Sequence, residues 1–226
     1  MVELSLSGSF TAVDSDSSHF YIVGDSGLDI INKVTQRSEG FVTFSSGFND
    51  VWAGDEVFVY IAADTGLYFL AKPDVFSLGE DLTDQLFIDS RTNLFQDSEV
   101  LKVTGLNREY ILIGTISGVE LLVETNVFHS NEFNPIDAVE ITDSGDLYYG
   151  GSFGLAFKSG PVSANWSSEQ HIVSPFIPNN QVNAIDTIKN DVSDITVGVA
   201  TASGVVLFQQ RNPLAISPTT KFFTEN

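Results

Sequence analysis

The chain has 226 residues, with 30 acidic and 10 basic side chains and a formal charge of −20 at neutral pH. Hydrophobic residues make up 42% and charged residues 18%, which suits a folded core and excludes the disordered class. So acidic a surface repels nucleic acid and anionic membranes, and the longest apolar runs, such as 57–63, are strand-sized rather than long enough to cross a bilayer.

The length fits a single domain over 1–226. The absence of cysteine rules out disulfides, a thiol nucleophile and thiolate metal sites. Met1-Val2-Glu3-Leu4 lacks the basic-then-apolar opening of a secretory signal. The acid excess suits solubility, a cationic partner or a saline setting.

Taken in chain order, one short pattern recurs. In the first unit a strand at 11–13 and the polar turn 14–17 precede Val23-Gly24-Asp25-Ser26-Gly27-Leu28, with a further strand at 41–44. The second unit has a strand at 50–52, the turn Gly54-Asp55, then Ala62-Ala63-Asp64-Thr65-Gly66-Leu67, and a strand at 86–88. The third opens at 99–101, turns at 105–107 and reaches Gly114-Thr115-Ile116-Ser117-Gly118-Val119. The fourth opens at 137–139, turns at 143–146, passes through Gly150-Gly151-Ser152-Phe153-Gly154-Leu155 and offers a strand at 171–176. The fifth opens at 183–185, turns at Asn190-Asp191 and contains Ala200-Thr201-Ala202-Ser203-Gly204-Val205. Each unit reads strand a, turn, strand b, tight turn, strand c, with strand d after it. The glycine closing each tight turn suits a position with φ > 0, and the small residues before it let sheets approach closely.

The closing glycines at 27, 66, 118, 154 and 204 are 36 to 52 residues apart, and the interval through the termini, 49 residues, falls in the same range. No stretch has sustained helical periodicity. Four-stranded units of this size predict an all-β fold, a single β-propeller of five four-stranded blades. Segments 2–6 and 221–223 are placed together in the last blade, so that the termini meet and close the ring.

Residues 136–155 of the fourth unit resemble the propeller repeat of bacterial two-component sensor ectodomains. That pattern runs loosely Asn-x-Val, Asp-x-x-Gly-x-Leu-Trp-x-Gly-Thr, then x-x-Gly-Leu, and it is matched here by Asp143-Ser144-Gly145-Asp146-Leu147-Tyr148-Tyr149-Gly150-Gly151 and Gly154-Leu155. Tyr149 and Tyr60 stand where tryptophan is frequent in the family. The resemblance implies a blade architecture and no particular activity.

Several strings imitate active sites. Asp25-Ser26-Gly27 and Asp64-Thr65-Gly66 match aspartic-protease triplets, and Gly24-Asp25-Ser26-Gly27 matches a serine-protease nucleophile segment. Both fall on the repeated hairpin, whose sister copies lack the acid, so they read as turn chemistry. Asp14, Asp16 and Ser18 have calcium-loop spacing, but His19 and Asp25 occupy the positions that need glycine and glutamate, so a solvated turn is expected. His19, His129 and His171 fit no zinc spacing and read as surface or turn residues. Asn165-Trp166-Ser167 is a glycosylation sequon. Trp52 and Trp166 are candidate binding platforms, while Phe58, Tyr60, Tyr68 and Phe69 sit at core positions.

One constellation has functional content. Aligning the starts of the five a strands gives Thr11, Asp50, Glu99, Asp137 and Asn183, one per blade around the central channel. The polar ring Asp50, Glu99, Asp137 and Asn183 is the candidate ligand site, for a cation or a sugar, with hydrogen bonding between blades as the structural alternative. No catalytic set, metal site or cofactor is expected. The sequence therefore reads as a non-enzymatic binding or structural module, present in several copies in a larger assembly such as a phage or virus particle (a tail or capsid accessory) and facing the virion exterior or extracellular space. The alternatives are a lectin-type propeller that binds glycans and a glycoside hydrolase using Asp50, Glu99 and Asp137.

Overall fold

Five sheets succeed one another along the chain in the computed structural model, each built on four antiparallel strands, with a fifth strand added to the first. It describes residues 8–72, 79–89, 99–107, 110–124, 126–130, 134–158, 170–172, 176–189, 194–211 and 215–217. Blade one contains β1 (Phe10–Ser15), β2 (His19–Gly24), β3 (Gly27–Asn32) and β4 (Ser38–Thr43). Blade two contains β5 (Asp50–Trp52), β6 (Phe58–Ala63), β7 (Gly66–Ala71) and, after the short β8 (Glu80–Asp81), its outer strand β9 (Leu86–Ile88). Blade three is β10 (Val100–Asn107), β11 (Tyr110–Thr115), β12 (Gly118–Val123) and β13 (Asn126–His129). Blade four is β14 (Ile136–Ile141), β15 (Leu147–Gly151), β16 (Gly154–Lys158) and β17 (Gln170–Ile172). Blade five is β18 (Val182–Lys189), β19 (Asp194–Thr201), β20 (Gly204–Arg211) and β21 (Ala215–Ser217).

The turns follow from the glycines. All five closing glycines have φ between +115° and +142°, a region that side-chain-bearing residues rarely adopt. Each hairpin opens into a regular antiparallel ladder, so one repeated backbone requirement sets the b–c register in every blade.

Burial then forces the blades together. Hydrophobic clusters lie at the junctions between successive sheets. Val23 and Ile30 of blade one pack with Val51 and Ile61 of blade two, and Tyr60 of blade two packs with Val103 and Ile111 of blade three. Leu112 and Leu121 meet Ile136 and Tyr149, and Tyr148 and Phe157 meet Val182 and Val199. A fully buried side chain of this kind contributes about 1.5–3 kcal/mol relative to exposure, so both faces of an interior blade must be apolar. Close approach explains the small residues before the hairpins: a Cβ on Gly150 would lie 2.7 Å from Val182 Cγ1, and one on Gly114 would lie 2.7 Å from Ile136 Cγ2.

One detail departs from expectation, and two others complete the blades. β8 adds to blade one as a fifth strand, parallel to β4, with Leu82 N donating to the Phe41 carbonyl at 2.8 Å. A two-residue strand carries no periodic signal, which is why the sequence did not show it. Blade three fits its c and d strands into residues 118–129, with Glu124 just after β12 at φ 52°. The fourth strand of blade five is β21, paired through Gln210 and Ile216, whereas segments 2–6 and 221–223 lie outside the described residues. No described helix is long and apolar enough to cross a membrane.

Candidate functional site: the inner strands

The inner strand of each blade can be aligned from its ladder. The residue four before each closing glycine is Val23, Ala62, Gly114, Gly150 or Ala200; these pair with Ala12, Asp50, Lys102, Ala138 and Ala184 respectively. In blades one, three, four and five the register shifts just before that pair, which puts Thr11, Leu101, Asp137 and Asn183 on a bulge. A bulge inserts one residue and re-aims its side chain.

This alignment corrects the ring read from the sequence. Thr11, Asp137 and Asn183 do share one position, but the equivalent in blade two is Asn49 rather than Asp50. In blade three it is Leu101 rather than Glu99, which lies just ahead of β10. The cause is the unequal length of the a–b turns, which hides a slip of one or two residues.

The bulge residues tie neighbouring blades. Thr11 Oγ1 donates to the Phe48 carbonyl at 2.6 Å, and Asn49 Nδ2 donates to the Val100 carbonyl at 2.9 Å. Asp137 Oδ2 accepts from Gln181 Nε2 at 2.6 Å. Asn183 is exposed, and the half-buried Glu99 offers its backbone carbonyl to Ile116 N at 3.2 Å.

A second set of acids lies further along the same strands, Asp50 at the position of Ala12 and Ala138, and Asp14 and Glu140 two residues beyond it. Asp14 Oδ2 accepts from Ala53 N at 2.7 Å, Asp50 Oδ2 from Val103 N at 3.1 Å and Glu140 Oε1 from Thr187 Oγ1 at 2.8 Å; each partner is on the following blade. Burial pushes the Glu140 carboxyl up to about 7, reinforced by the charges of Asp186, Asp14 and Asp143 and opposed by the Thr187 hydrogen bond. Burial likewise raises Asp50, against the pull of Lys102 and the Val103 N–H. Asp14 on blade one is felt by Asp50 on blade two and by Glu140 on blade four, so these acids face a shared axis. Sequence reasoning missed Asp14, Glu140 and Asp186. The signal was there in Ala12-Val13-Asp14, Ala138-Val139-Glu140 and Ala184-Ile185-Asp186, a small-branched-acid triplet repeated in three blades.

The other candidates resolve individually. Asp16 is a hub: Ser18 N and His19 N donate to Oδ1 at 2.8 Å each, and Tyr21 OH and Lys72 Nζ reach Oδ2 at 2.7 and 3.1 Å. Burial pushes its pKa up, but these donors together outweigh it and hold the carboxyl far below the usual range. Donors occupy both oxygens, so this turn is a partly buried anchor between blades rather than a solvated loop. His19 is not a surface residue; its Nε2 lies 3.0 Å from Glu39 Oε2. His129 Nδ1 lies 3.4 Å from the buried Glu120 Oε1. Burial raises the Glu120 carboxyl to about 7 and lowers the His129 imidazole. His171 is on β17, in another blade, and no group of three His, Asp or Glu among the described residues is placed to hold a metal ion. Trp52 is no platform: it is 8% exposed and stacks on Tyr60 with ring centroids 5.6 Å apart. Trp166 and the sequon at 165–167 lie outside the described residues. Asp25 and Asp64 are exposed at hairpin tips on different blades, as turn residues.

A ring of short antiparallel sheets packed face to face around polar inner strands defines a β-propeller, and solved structures agree. The extracellular domain of a B. thetaiotaomicron protein described as a hybrid two component system matches 97% of this chain at 13% identity and TM-score 0.59. YCF48 from Cyanidioschyzon merolae matches 98% at 15% identity and TM-score 0.60, covering 74% of that protein. PorZ, a bacterial surface component of the type-IX secretion system of Porphyromonas gingivalis, matches 93% at 15% identity and TM-score 0.60. The chain spans 35% of the length of the B. thetaiotaomicron domain and 27% of PorZ. Identities this low establish the fold. No protein-family model matches the chain, and no curated protein matches it in sequence.

Proposed function

We propose that this propeller is a non-enzymatic binding and structural module that works as one component of a larger, multi-copy assembly. The observation that carries this reading is the engagement of the inner-strand acids: Asp14, Asp50, Asp137 and Glu140 each accept a hydrogen bond from the following blade. Side chains used this way stabilise a rigid disc whose faces and edges are left for partners. Within that class the reading is a structural or host-facing protein of a virus particle, such as a phage tail or capsid accessory. The strongly acidic surface supports it through solubility at high local concentration. The extracellular domain and the bacterial surface component among the structural matches support an outward-facing location.

Gentle purification from the native source, followed by mass spectrometry, tests the reading. The expected result is a fixed ratio to particle proteins. A chain that elutes alone, binds a glycan array, or loses a sugar-hydrolysing activity on Asp50→Asn would replace it with the lectin or glycosidase alternative.

A further inference from the structure

Four blade junctions are sealed, and the one between blade five and blade one is not. β1 packs on β5, β5 on β10, β10 on β14 and β14 on β18, whereas β18 and β1 make no comparable contact. The described hydrophobic clusters fill the first four junctions and none joins blade five to blade one. The repeat shows what that seam lacks. On the side that meets the preceding blade, Val51, Val103, Val139 and Ile185 share one ladder position and are at most 9% exposed. Val13, the same position in blade one, is 62% exposed. Val59, Ile111, Leu147 and Val197, seven residues before their closing glycines, are buried, while Phe20 at that position is exposed. On the side that meets the following blade, Leu28, Leu67, Val119 and Leu155 follow the closing glycine and are at most 1% exposed, whereas Val205 is 44% exposed.

The polar side chains agree. Thr11 and Asn49 donate to the carbonyls of Phe48 and Val100 on the following blade. The corresponding pair at the open seam is Asn183, which is exposed, and the Phe10 carbonyl. Glu140 accepts from Thr187 Oγ1, while Thr187 N donates to Asp186 Oδ1 at 2.8 Å. Ser15 stands where Thr187 does, and its N–H donates to Asp14 Oδ1 at 2.7 Å in the same way. Ser15 Oγ accepts from Lys33 Nζ and keeps its own proton to donate. The acid aligned with Glu140 to receive that proton is the exposed Asp186.

We propose that blade five of one molecule docks head-to-tail on blade one of a second copy, forming a junction of the same kind as the four within the chain. The repeat identifies the occupant. Blade five requires a surface like the leading side of a blade and blade one requires a trailing side. This chain carries one open surface of each kind, and its own fold keeps them apart. Phe20 enters over Gly198 and Ala200, small residues at the positions of Tyr21 and Val23. Val13 and Val205 share the seam as Val51 and Leu28 do at the first junction. The contact is heterologous, so a third copy adds in the same way. The proposal rests on the multi-copy reading and adds to it the surface that joins the copies.

Sedimentation velocity over a concentration series tests it with three single variants that each add one negative charge. Val13→Glu lies on blade one, Val205→Glu on blade five, and Val34→Glu on the c–d turn of blade one. All three parent side chains are exposed, and thermal melts check that each variant folds like the parent. The parent is expected to self-associate as its concentration rises, and more tightly at high salt, which screens repulsion between copies of charge −20. Val13→Glu and Val205→Glu should each weaken association by about tenfold or more, and Val34→Glu by less than about twofold. A mixture of the two seam variants retains one intact blade five and one intact blade one, so it should form heterodimers and nothing larger. A parent that stays monomeric, equal losses in all three variants, or a mixture that behaves like its separate components overturns the proposal. If the mixture pairs while the native chain purifies without particle proteins, the seam stands and the particle reading fails. If the chain co-purifies with them and the mixture does not pair, the seam is wrong.

Discussion

Asn49 Nδ2 lies 2.9 Å from the Val100 carbonyl oxygen, repeating between blades two and three the bond that Thr11 makes to Phe48 between blades one and two. The two side chains occupy equivalent inner-strand positions although one is an amide and the other a hydroxyl. What recurs is a donor aimed at the next blade. Asn49→Ala is expected to cost about 1–2 kcal/mol, because it leaves a carbonyl without its partner. Asp50→Asn, one residue along, is expected to leave stability at neutral pH within about 1 kcal/mol, since the amide oxygen can still accept from Val103. Urea unfolding of both variants checks the contrast; equal losses would contradict the alignment.

Close approach at the junction of blades four and five makes a second prediction. Gly150→Ala places a methyl group 2.7 Å from Val182 Cγ1 and is expected to cost about 1–3 kcal/mol by overpacking. Val182→Ala in the same chain should recover part of that loss, and a double-mutant cycle measures the recovery. Additive losses would show that the methyl meets something else.

Glu140 makes stability depend on pH. Its folded-state pKa, about 7, lies above the ordinary value of 4.5, so the folded chain holds this proton more tightly than the unfolded chain does. The stability it confers is present below about pH 4.5 and is lost as pH rises towards 7. Glu140→Gln is expected to remove up to about 2 kcal/mol of that decline, seen in urea midpoints at pH 5 and pH 8. Glu120 behaves in the same sense on blade three. A variant with the same pH profile as the parent would contradict the assignment.

Asp16 has the opposite sign. Its carboxyl is held below the ordinary range, so its stabilisation is present above about pH 3.8 and is lost on acidification. Asp16→Ala removes an acceptor shared by two backbone amides, Tyr21 and Lys72, and is expected to cost about 2–4 kcal/mol at pH 7. Because donors already occupy both oxygens, calcium or a chelator should leave Tm unchanged. A calcium-dependent rise in Tm that disappears in Asp16→Ala would contradict this account of the turn.

Much of the architecture was legible because it rests on local rules. The hairpin at Gly66 and the strand after it could be read directly, since a positive-φ turn between two apolar runs has few alternatives. The inner ring was read less well. Asp137 and Asn183 were placed correctly, but Asp50 and Glu99 were each displaced from the shared position, and Asp14 and Glu140 were overlooked. Side chains alternate along a strand, so a slip of one residue exchanges one face of the sheet for the other.

The sequence by itself determined the five-fold repeat, the hairpin positions and the small residues at blade junctions, since each reflects a backbone or steric demand met within a few residues. Only the tertiary structure decided which acids turn towards the axis, that His19 rests against Glu39 and Trp52 against Tyr60, and that β8 caps blade one. Those outcomes depend on bulges, turn lengths and contacts between residues tens of positions apart, which one-dimensional spacing does not encode.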